Sequence, residues 1–350
     1  MSITPSAALN TLGIAKTSVE EISFVKDNIV PIDALGSTTV SSDNSVMLWY
    51  TVSDTEDMYK VYIGSDNGIT SFPSDCTSLF INYTKITSIN LNNIDTSKVT
   101  NMSNIFRNCS NLTTLDLSNF DTSNVTSMYA MFYLSSKIRK LDISSFDTSN
   151  VKNMSLMFAL CSNLVQLDLD KFNTSNVENM SNMFNGINVE YLDLSSFDTS
   201  NVKDMSQMFI NCKKIKYLNL DNFNTSSVNK MQHMFSNCSS LINIKITNFN
   251  VENVVTMSFM FSNCNNLINI DLSSFKLKKV QNMDGLFAGC NKISIIDMRN
   301  AEIPSSVTYT DMLQSVPTDA TIYLKDTQWN RDFMSNNFSS YTNVQYIPSS

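Results

Sequence analysis

A phrase of about 26 residues recurs through roughly two thirds of the chain and constrains its fold more than any other feature. One copy reads Leu192-Asp-Leu-Ser-Ser-Phe-Asp-Thr-Ser-Asn-Val202, followed by Met205, Met208-Phe209 and Cys212. Repeats of this length cannot bury a core alone and are stable only when they stack on their neighbours. The repeats therefore predict a solenoid. Aligned on the Leu-Asp-Leu position, the nine copies start at Ile89, Leu115, Leu141, Leu167, Leu192, Leu218, Ile244, Ile270 and Ile296.

Each copy of the phrase divides into a strand, a turn and a helical segment. Leu115 and Leu117 alternate with polar residues, which predicts a short strand with both leucines pointing inward. The polar cluster 121–124 predicts a turn, because short polar side chains bond to nearby backbone groups. Met128 and the pair 131–132 follow at spacings of three and four, which predicts a short helix.

These elements predict an α/β leucine-rich-repeat solenoid, with a parallel β-sheet on the concave face and short helices on the convex face. Residues 86–313 would hold the nine repeats. Residues 45–85 would form an N-terminal β cap, and residues 314–350 a C-terminal β-α-β cap. Residues 1–44 match neither pattern, so we expect an attachment segment or a mobile terminus there.

Methionine and cysteine each occupy fixed columns of the repeat. The methionines at positions such as Met154 and Met157 are expected to fill the core, with a thioether metal site as the alternative. The cysteines are expected to form a packing column, because Ser135 and Ile187 occupy the same repeat position. A disulfide between neighbours such as Cys238 and Cys264 is the alternative, since adjacent strands bring Cα atoms to about 5 Å.

Charge and residue types exclude several classes of function. Lys and Arg number 24 against 32 Asp and Glu, a net charge of −8, so no basic surface for nucleic acid is expected. No export signal or membrane-spanning run is recognised. The single histidine, His233, occupies a variable repeat position, so no catalytic triad with Cys238 is expected. We expect no enzyme activity, no cofactor and no metal.

The coil phrase resembles the BspA-like leucine-rich-repeat surface proteins. Phe-Asp-Thr-Ser-Asn-Val stands at 146–151 and at 197–202, with Met-x-x-Met-Phe and Cys-x-x-Leu behind it, and the resemblance covers about residues 46–347. It implies a binding or adhesion module like those of bacterial surface proteins or of phage structural proteins. It offers no catalytic residues. Because neither a signal sequence nor a wall-sorting motif is recognised, we expect display on a virion or a bacterial surface, with a cytoplasmic location left open.

Outward-facing side chains of the strands are the candidate binding residues. One column contains four consecutive aspartates that repel one another by about 1 kcal/mol per pair in water. They are expected either to attract a cation, a basic partner or sugar hydroxyls, or to form a solvated column with slightly raised pKa values. This acidic column consists of Asp116, Asp142, Asp168 and Asp193.

Two tyrosines stand next to this column near the middle of the repeats, and tyrosine is favoured in binding sites because it is rigid and amphipathic. The alternative is that they are ordinary surface residues. The predicted contact patch consists of Gln166, Asp168, Tyr191, Asp193, Tyr217 and Asn219.

The sequence thus predicts a non-enzymatic recognition protein that binds a cell-surface protein or glycan through the concave sheet. Residues 1–44 would join it to a larger assembly. The alternative is a structural spacer or decoration subunit that binds no ligand.

Overall fold

The computed structural model describes residues 4–348 and divides the chain into two compact units, Met1–Phe172 and Asn173–Ser350. The division falls inside the segment predicted as one domain of nine repeats. Regular structure in residues 4–348 is mostly short strands in five small sheets, with two α-helices and one 3-10 turn. The ends of the predicted terminal segments, residues 1–3 and 349–350, lie outside the described residues.

The first unit begins with a five-stranded sheet that joins the terminal segment to the first repeat. The unit contains α1 (Pro5–Thr11), a 3-10 turn (Lys16–Ser18), β1 (Val19–Val25), β2 (Gly36–Thr39), β3 (Val46–Val52), β4 (Tyr59–Ser65), β5 (Thr70–Ser71), β6 (Ser88–Asn90), β7 (Ile94–Asp95), β8 (Lys140–Leu141) and β9 (Gln166–Leu167). The strand order of the five-stranded sheet is β2-β3-β4-β1-β6, in which β1 pairs in parallel with both β4 and β6.

Part of the segment 1–44, predicted as an attachment segment or a mobile terminus, is an ordered strand of the first unit. Strand β1 lies between the cap strand β4 and the first repeat strand β6. Its side chains Val19, Ile22 and Phe24 are fully buried. Burial of three such side chains contributes about 1.5–3 kcal/mol each, which explains why this segment belongs to the core of the first unit.

The second unit contains repeat strands followed by a strand, a helix and a strand. Repeat strands pair in parallel and one repeat apart, as in Tyr217↔Asn243 and Asn269↔Ile295. The elements are β10 (Tyr217–Asn219), β11 (Asn243–Lys245), β12 (Asn269–Asp271), β13 (Ile295–Met298), β14 (Thr321–Lys325), α2 (Gln328–Asn337) and β15 (Val344–Ile347). The C-terminal strands continue the last sheet in the order β12-β13-β14-β15.

The helical segments predicted within the repeats are successive tight turns instead. In one repeat the amides of Gln207 and Phe209 donate to carbonyls of the next repeat, those of Gln232 and Met234, at 2.9 Å. The intervening amides bond three residues back, as Ile210 does to Gln207. Two residues four positions apart have a positive φ in each such segment, here Gln207 and Asn211 at 59° and 61°. This four-residue period explains why the methionine and phenylalanine spacing fits a helix.

Asparagine at the second left-handed position also links neighbouring repeats. Asparagine tolerates a positive φ better than most residues. The Asn237 side-chain amide donates to the Asn211 side chain at 3.0 Å, and that of Asn263 donates to Asn237 at 2.9 Å. In the same column, Gly289 has a φ of +79°, and a Cβ there would clash with the Asn263 side chain.

A buried threonine in several of the repeats bonds to the backbone of the following repeat. The Thr225 hydroxyl donates to the Asn250 carbonyl and accepts from the Asn250 amide, both at 2.8 Å. Thr122 and Thr199 donate to the equivalent carbonyls, those of Asp147 and Asn224. Because these threonines are almost completely buried, their hydroxyls satisfy backbone groups that would otherwise lack partners.

The core of each unit contains a row of stacked phenylalanines, one from each of several successive repeats. In the second unit, the Phe235 ring lies 5.6 Å from Phe209 and 5.4 Å from Phe261, with nearly parallel planes. In the first unit, Phe106 stacks on Phe80 and Phe132 in the same way. Stacking adds about 0.5–1.5 kcal/mol per pair to the burial of each ring.

Candidate binding faces

The strand face of the first unit carries two of the six predicted contact residues. Gln166 lies in β9, opposite Lys140, and both Gln166 and Asp168 are exposed. The Asp168 carboxylate accepts from the Asp170 amide at 3.0 Å. Among the hydrogen bonds of the described residues, none joins the Asp168 side chain to Gln166.

A groove of about 560 Å³ lies on this face, nearer to the N-terminus than the predicted patch. Two members of the acidic column, Asp116 and Asp142, line it together with Asn90, Asn92 and Lys140. The sequence prediction missed the last three as site residues. These three residues could have been predicted, because they stand at or beside the Leu-x-Leu phrase, where the alternation of the strand makes side chains face outward.

The strand face of the second unit carries the other four predicted residues. Tyr191 and Tyr217 are 72% and 62% exposed, which is unusual for large aromatic side chains. Tyr217 and Asn219 lie in β10, whereas Tyr191 and Asp193 lie in the equivalent, non-strand segment of the preceding repeat. The Tyr191 hydroxyl is 3.4 Å from the Asp193 carboxylate.

The exposed aspartates of the acidic column form turns with the residues that follow them. The Ser118 amide donates to Asp116 at 3.0 Å, and the Ser195 amide donates to Asp193 at 2.9 Å. These backbone bonds are the largest cause that lowers the pKa of both carboxyls below the ordinary value of 3.8. For Asp142 the Ser144 hydroxyl bond lowers the pKa most, followed by the Ser144 amide bond.

The expectation of raised pKa values is therefore wrong for these three aspartates. Bonds to the charged carboxylate outweigh repulsion along the column, because each carboxylate is solvated and accepts a backbone amide. Because the pKa of each carboxyl is lower in the folded state than in the unfolded state, these hydrogen bonds stabilise the fold fully at pH values above the ordinary carboxyl pKa. This stabilisation is lost as the pH falls through the lowered pKa. The column is a set of structural turns in which one carboxylate oxygen of each aspartate accepts a bond within its own turn, and at Asp193 the other oxygen accepts from the Tyr191 hydroxyl.

The seven cysteines are all buried and free, in agreement with a packing column and not with disulfides. Each thiol of the repeats also bonds to the preceding repeat: the Cys161 sulfur donates to the Phe132 carbonyl at 3.1 Å. In the same column the Ser135 hydroxyl donates to the Phe106 carbonyl at 2.7 Å. Burial raises the pKa of Cys161 to about 12, so its thiolate is not available for chemistry.

Replacement of Cys161 by Ser should therefore be tolerated better than replacement by Ala. The Phe132 carbonyl also accepts from the Ser135 amide at 3.0 Å. Serine at position 161 keeps the second donor for this carbonyl, whereas alanine removes it and opens a small cavity. We expect Cys161→Ala to lower the free energy of unfolding by about 1–2 kcal/mol through the lost hydrogen bond and the cavity, and Cys161→Ser to cost clearly less. Urea unfolding of both variants measures this. An equal loss in both would show that the hydrogen bond contributes nothing.

His233 lies in one of the left-handed turn positions, and nothing among the described contacts places it near a nucleophile. Its ring stacks on Phe259 at 5.0 Å, and desolvation lowers its pKa. Cys238 belongs to the buried column and donates to the Phe209 carbonyl.

Within residues 4–348, no cluster of three or more His, Cys, Asp or Glu side chains has a geometry suited to a metal ion.

Helix length and hydropathy decide whether a helix could cross a membrane. The helices of the described part of the chain are all too short or too polar to span a bilayer.

Comparisons with known proteins identify one family. A family described as "Mycoplasma protein of unknown function, DUF285" matches residues 74–191 and again residues 186–301. Together the two matches cover more than half of the chain and coincide with the repeats. This double match agrees with the resemblance to BspA-like repeat proteins. No curated protein matches the sequence significantly.

One solved structure shows a distant similarity. It is described as the functional domain of InlJ from Listeria monocytogenes, which includes a cysteine ladder. The identity is 14% and the TM-score is 0.20, over 81% of this chain and 61% of the InlJ chain. The matched region thus spans about three fifths of that chain.

Proposed function

The chain belongs to the DUF285 family, whose function is unknown, and we propose that it is a non-enzymatic recognition protein. In this proposal it binds a cell-surface protein or glycan through side chains on the strand face of its repeats. The proposal includes the continuous nine-repeat solenoid that the sequence predicts.

The exposure of Tyr191 and Tyr217 is the observation that carries the proposal. Both tyrosines stand at the same position of successive repeats, and the two repeats are joined by backbone bonds such as Met205 to Lys230. A rigid backbone presents the rings without a large loss of entropy on binding, which favours affinity. Asp193 and Asn219 offer polar groups beside them, a combination typical of recognition surfaces.

Gln166 and Asp168 on the first unit are proposed as further contact residues, testable on their own. Asp116 and Asp142 belong to the same proposal because they line the groove of that unit. Grooves of several hundred cubic ångströms with a few polar groups suit small ligands such as saccharides.

Display on a phage virion or on a bacterial surface is the proposed setting, with adhesion to a receptor as the outcome. The resemblance to BspA-like surface proteins supports this setting. The second candidate is a structural spacer or decoration subunit without a ligand. The many hydrogen bonds between repeats favour it, because they make each unit stiff whether or not a ligand binds.

Replacement of both tyrosines tests the recognition proposal. We expect fluorescently labelled protein to bind a defined subset of a glycan array or of a panel of bacterial cells. Tyr191→Ala/Tyr217→Ala should weaken that binding at least about tenfold, because tyrosines at binding sites often contribute more than 1 kcal/mol each.

A matched control is available on the same unit. Val255 and Phe259 are each 37% exposed and lie outside the strands, so Val255→Ala/Phe259→Ala should leave the binding unchanged. Urea unfolding confirms that each variant remains folded. Wild-type protein that binds nothing on the array or the cells would favour the spacer, and equal losses in both double variants would exclude the tyrosine patch.

A further inference from the structure

A second groove, of about 590 Å³, lies in the second unit where the last repeats meet the C-terminal helix α2. It is separate from the strand-face residues of the proposed function. Its side chains combine one exposed aromatic ring, three cations and several hydrogen-bonding groups. The lining consists of Lys276, Leu277, Lys278, Asn300, Glu302, Ile303, Pro304, Ser305, Lys325 and Trp329.

A buried asparagine fixes the position of α2 against the groove. Asn330 is fully buried, and its amide donates to the carbonyls of Ala301 and Lys325 at 3.0 and 2.9 Å. Its side-chain oxygen accepts from the Ile303 amide at 3.1 Å. The next residue toward the N-terminus, Trp329, is therefore held at the groove while 41% of its surface stays exposed. The groove is formed before any ligand binds.

The charge of the groove is opposite to that of the whole chain. Glu252 pairs with Lys278 at 2.9 Å and with Lys276 at 3.6 Å, and Glu302 pairs with Lys325 at 3.2 Å. Three lysines against two glutamates leave one positive charge in excess, in a chain of net charge −8. Lys276 and Lys278 are 62% and 63% exposed. Such exposed ion pairs are weak, so a ligand carboxylate can compete for these lysines.

We infer that this groove binds an acidic saccharide that carries a carboxylate, such as a uronic acid. The Trp329 ring offers a flat apolar face for the C–H face of a sugar ring, as aromatic side chains do at sites with one apolar and one wet side. Asn300 and Ser305 supply hydrogen-bonding groups for hydroxyls. One excess positive charge matches a single carboxylate, whereas a polyanion such as nucleic acid needs a longer basic surface.

Titration with a trisaccharide that contains a single galacturonate tests this inference, and the methyl ester of the same trisaccharide serves as the uncharged control. Binding is measured by isothermal titration calorimetry and by tryptophan fluorescence. The fluorescence change reports Trp329, because the only other tryptophan, Trp49, is buried in the first unit and stacks on Tyr62. We expect the acid to bind at least about tenfold more tightly than the ester, as charged hydrogen bonds require.

Variants assign the binding to the groove. Trp329→Ala and Lys276→Ala/Lys278→Ala should each weaken binding of the acid at least about tenfold. The exposed pair Lys213 and Lys214 lies elsewhere in the unit, so Lys213→Ala/Lys214→Ala should bind normally. Tyr191→Ala/Tyr217→Ala should also bind normally, which separates this site from the proposed strand-face site.

Several results would overturn the inference. They are the absence of binding at millimolar trisaccharide, equal affinity for acid and ester, and undiminished binding by the groove variants. A polyglutamate peptide that binds in the groove more tightly than the saccharide would assign the site to acidic peptides instead. If only the Tyr191→Ala/Tyr217→Ala variant loses the saccharide, the groove is excluded and the strand-face proposal stands.

Discussion

Replacement of Phe235 by Ala is expected to lower the free energy of unfolding of the second unit by about 3–5 kcal/mol. The ring is fully buried and lies between Phe209 and Phe261 in the stacked row. Its removal opens a cavity that the neighbouring repeats cannot fill, because their rings are held by their own turns. Urea unfolding followed by circular dichroism measures the loss.

Phe259 provides the matched control, since the same change is made at a ring that is 37% exposed. Phe259→Ala removes the stacking on His233 and the contact of the partly exposed ring with Gly285, so the expected loss is about 1–2 kcal/mol, clearly less than at Phe235. Similar losses at both positions would contradict the assignment of the stacked row to the core.

Replacement of Asn330 by Leu is expected to destabilise the C-terminal segment by at least about 3 kcal/mol. Leucine fits the volume but leaves the Ala301 and Lys325 carbonyls and the Ile303 amide without their side-chain partner. Each buried group left unpaired costs about 1–3 kcal/mol. Urea unfolding and amide hydrogen exchange in residues 321–347 report the loss.

Asn336 on the same helix is exposed, and Asn336→Leu should change the stability by no more than about 0.5 kcal/mol. If Asn330→Leu were equally harmless, α2 would not be held by this side chain. The preformed groove beside Trp329 would then lose its structural basis.

The repeat phrase predicts much of the local structure because each of its positions repeats one physical environment. Leu115 and Leu117 are buried as the alternation requires, and the intervening Asp116 is exposed. The parallel pairing one repeat apart follows from the period as well. Burial decides these features, and it is read directly from the pattern of apolar residues.

The apolar spacing of the methionine segment does not predict its turns, because spacings of three and four fit a helix and a four-residue turn period equally well. The discriminating residues are those that tolerate a positive φ. Asn211, Asn237 and Asn263 recur at one such position, and Gly285 and Gly289 stand four residues apart in a later repeat. Leu156 and Phe259 also adopt a positive φ, which no propensity predicts.

The N-terminal strand and the C-terminal groove depend on contacts outside the repeat pattern. The segment Val19–Val25 does alternate in part, with Val19, Ile22 and Phe24 buried. Its position between β4 and β6, however, is determined by tertiary contacts and not by the local sequence pattern. The site of Trp329 follows from the Asn330 hydrogen bonds, which no spacing in the sequence indicates. The acidic column was visible in the sequence, but its lowered pKa values required the turn geometry.

Hydrogen bonds between successive repeats are the foundation of the strand-face proposal, since they hold the backbone so that exposed side chains meet a ligand without prior ordering. Residue-by-residue amide hydrogen exchange tests this most directly. The amides of Met205, Gln207, Phe209 and Asn211 bond to the next repeat. They should be as protected as the Leu220 amide, which donates to the Lys245 carbonyl. If these four amides exchanged at the rate of an unstructured chain while the Leu220 amide stayed protected, the claim that bonds between repeats hold the backbone would be contradicted.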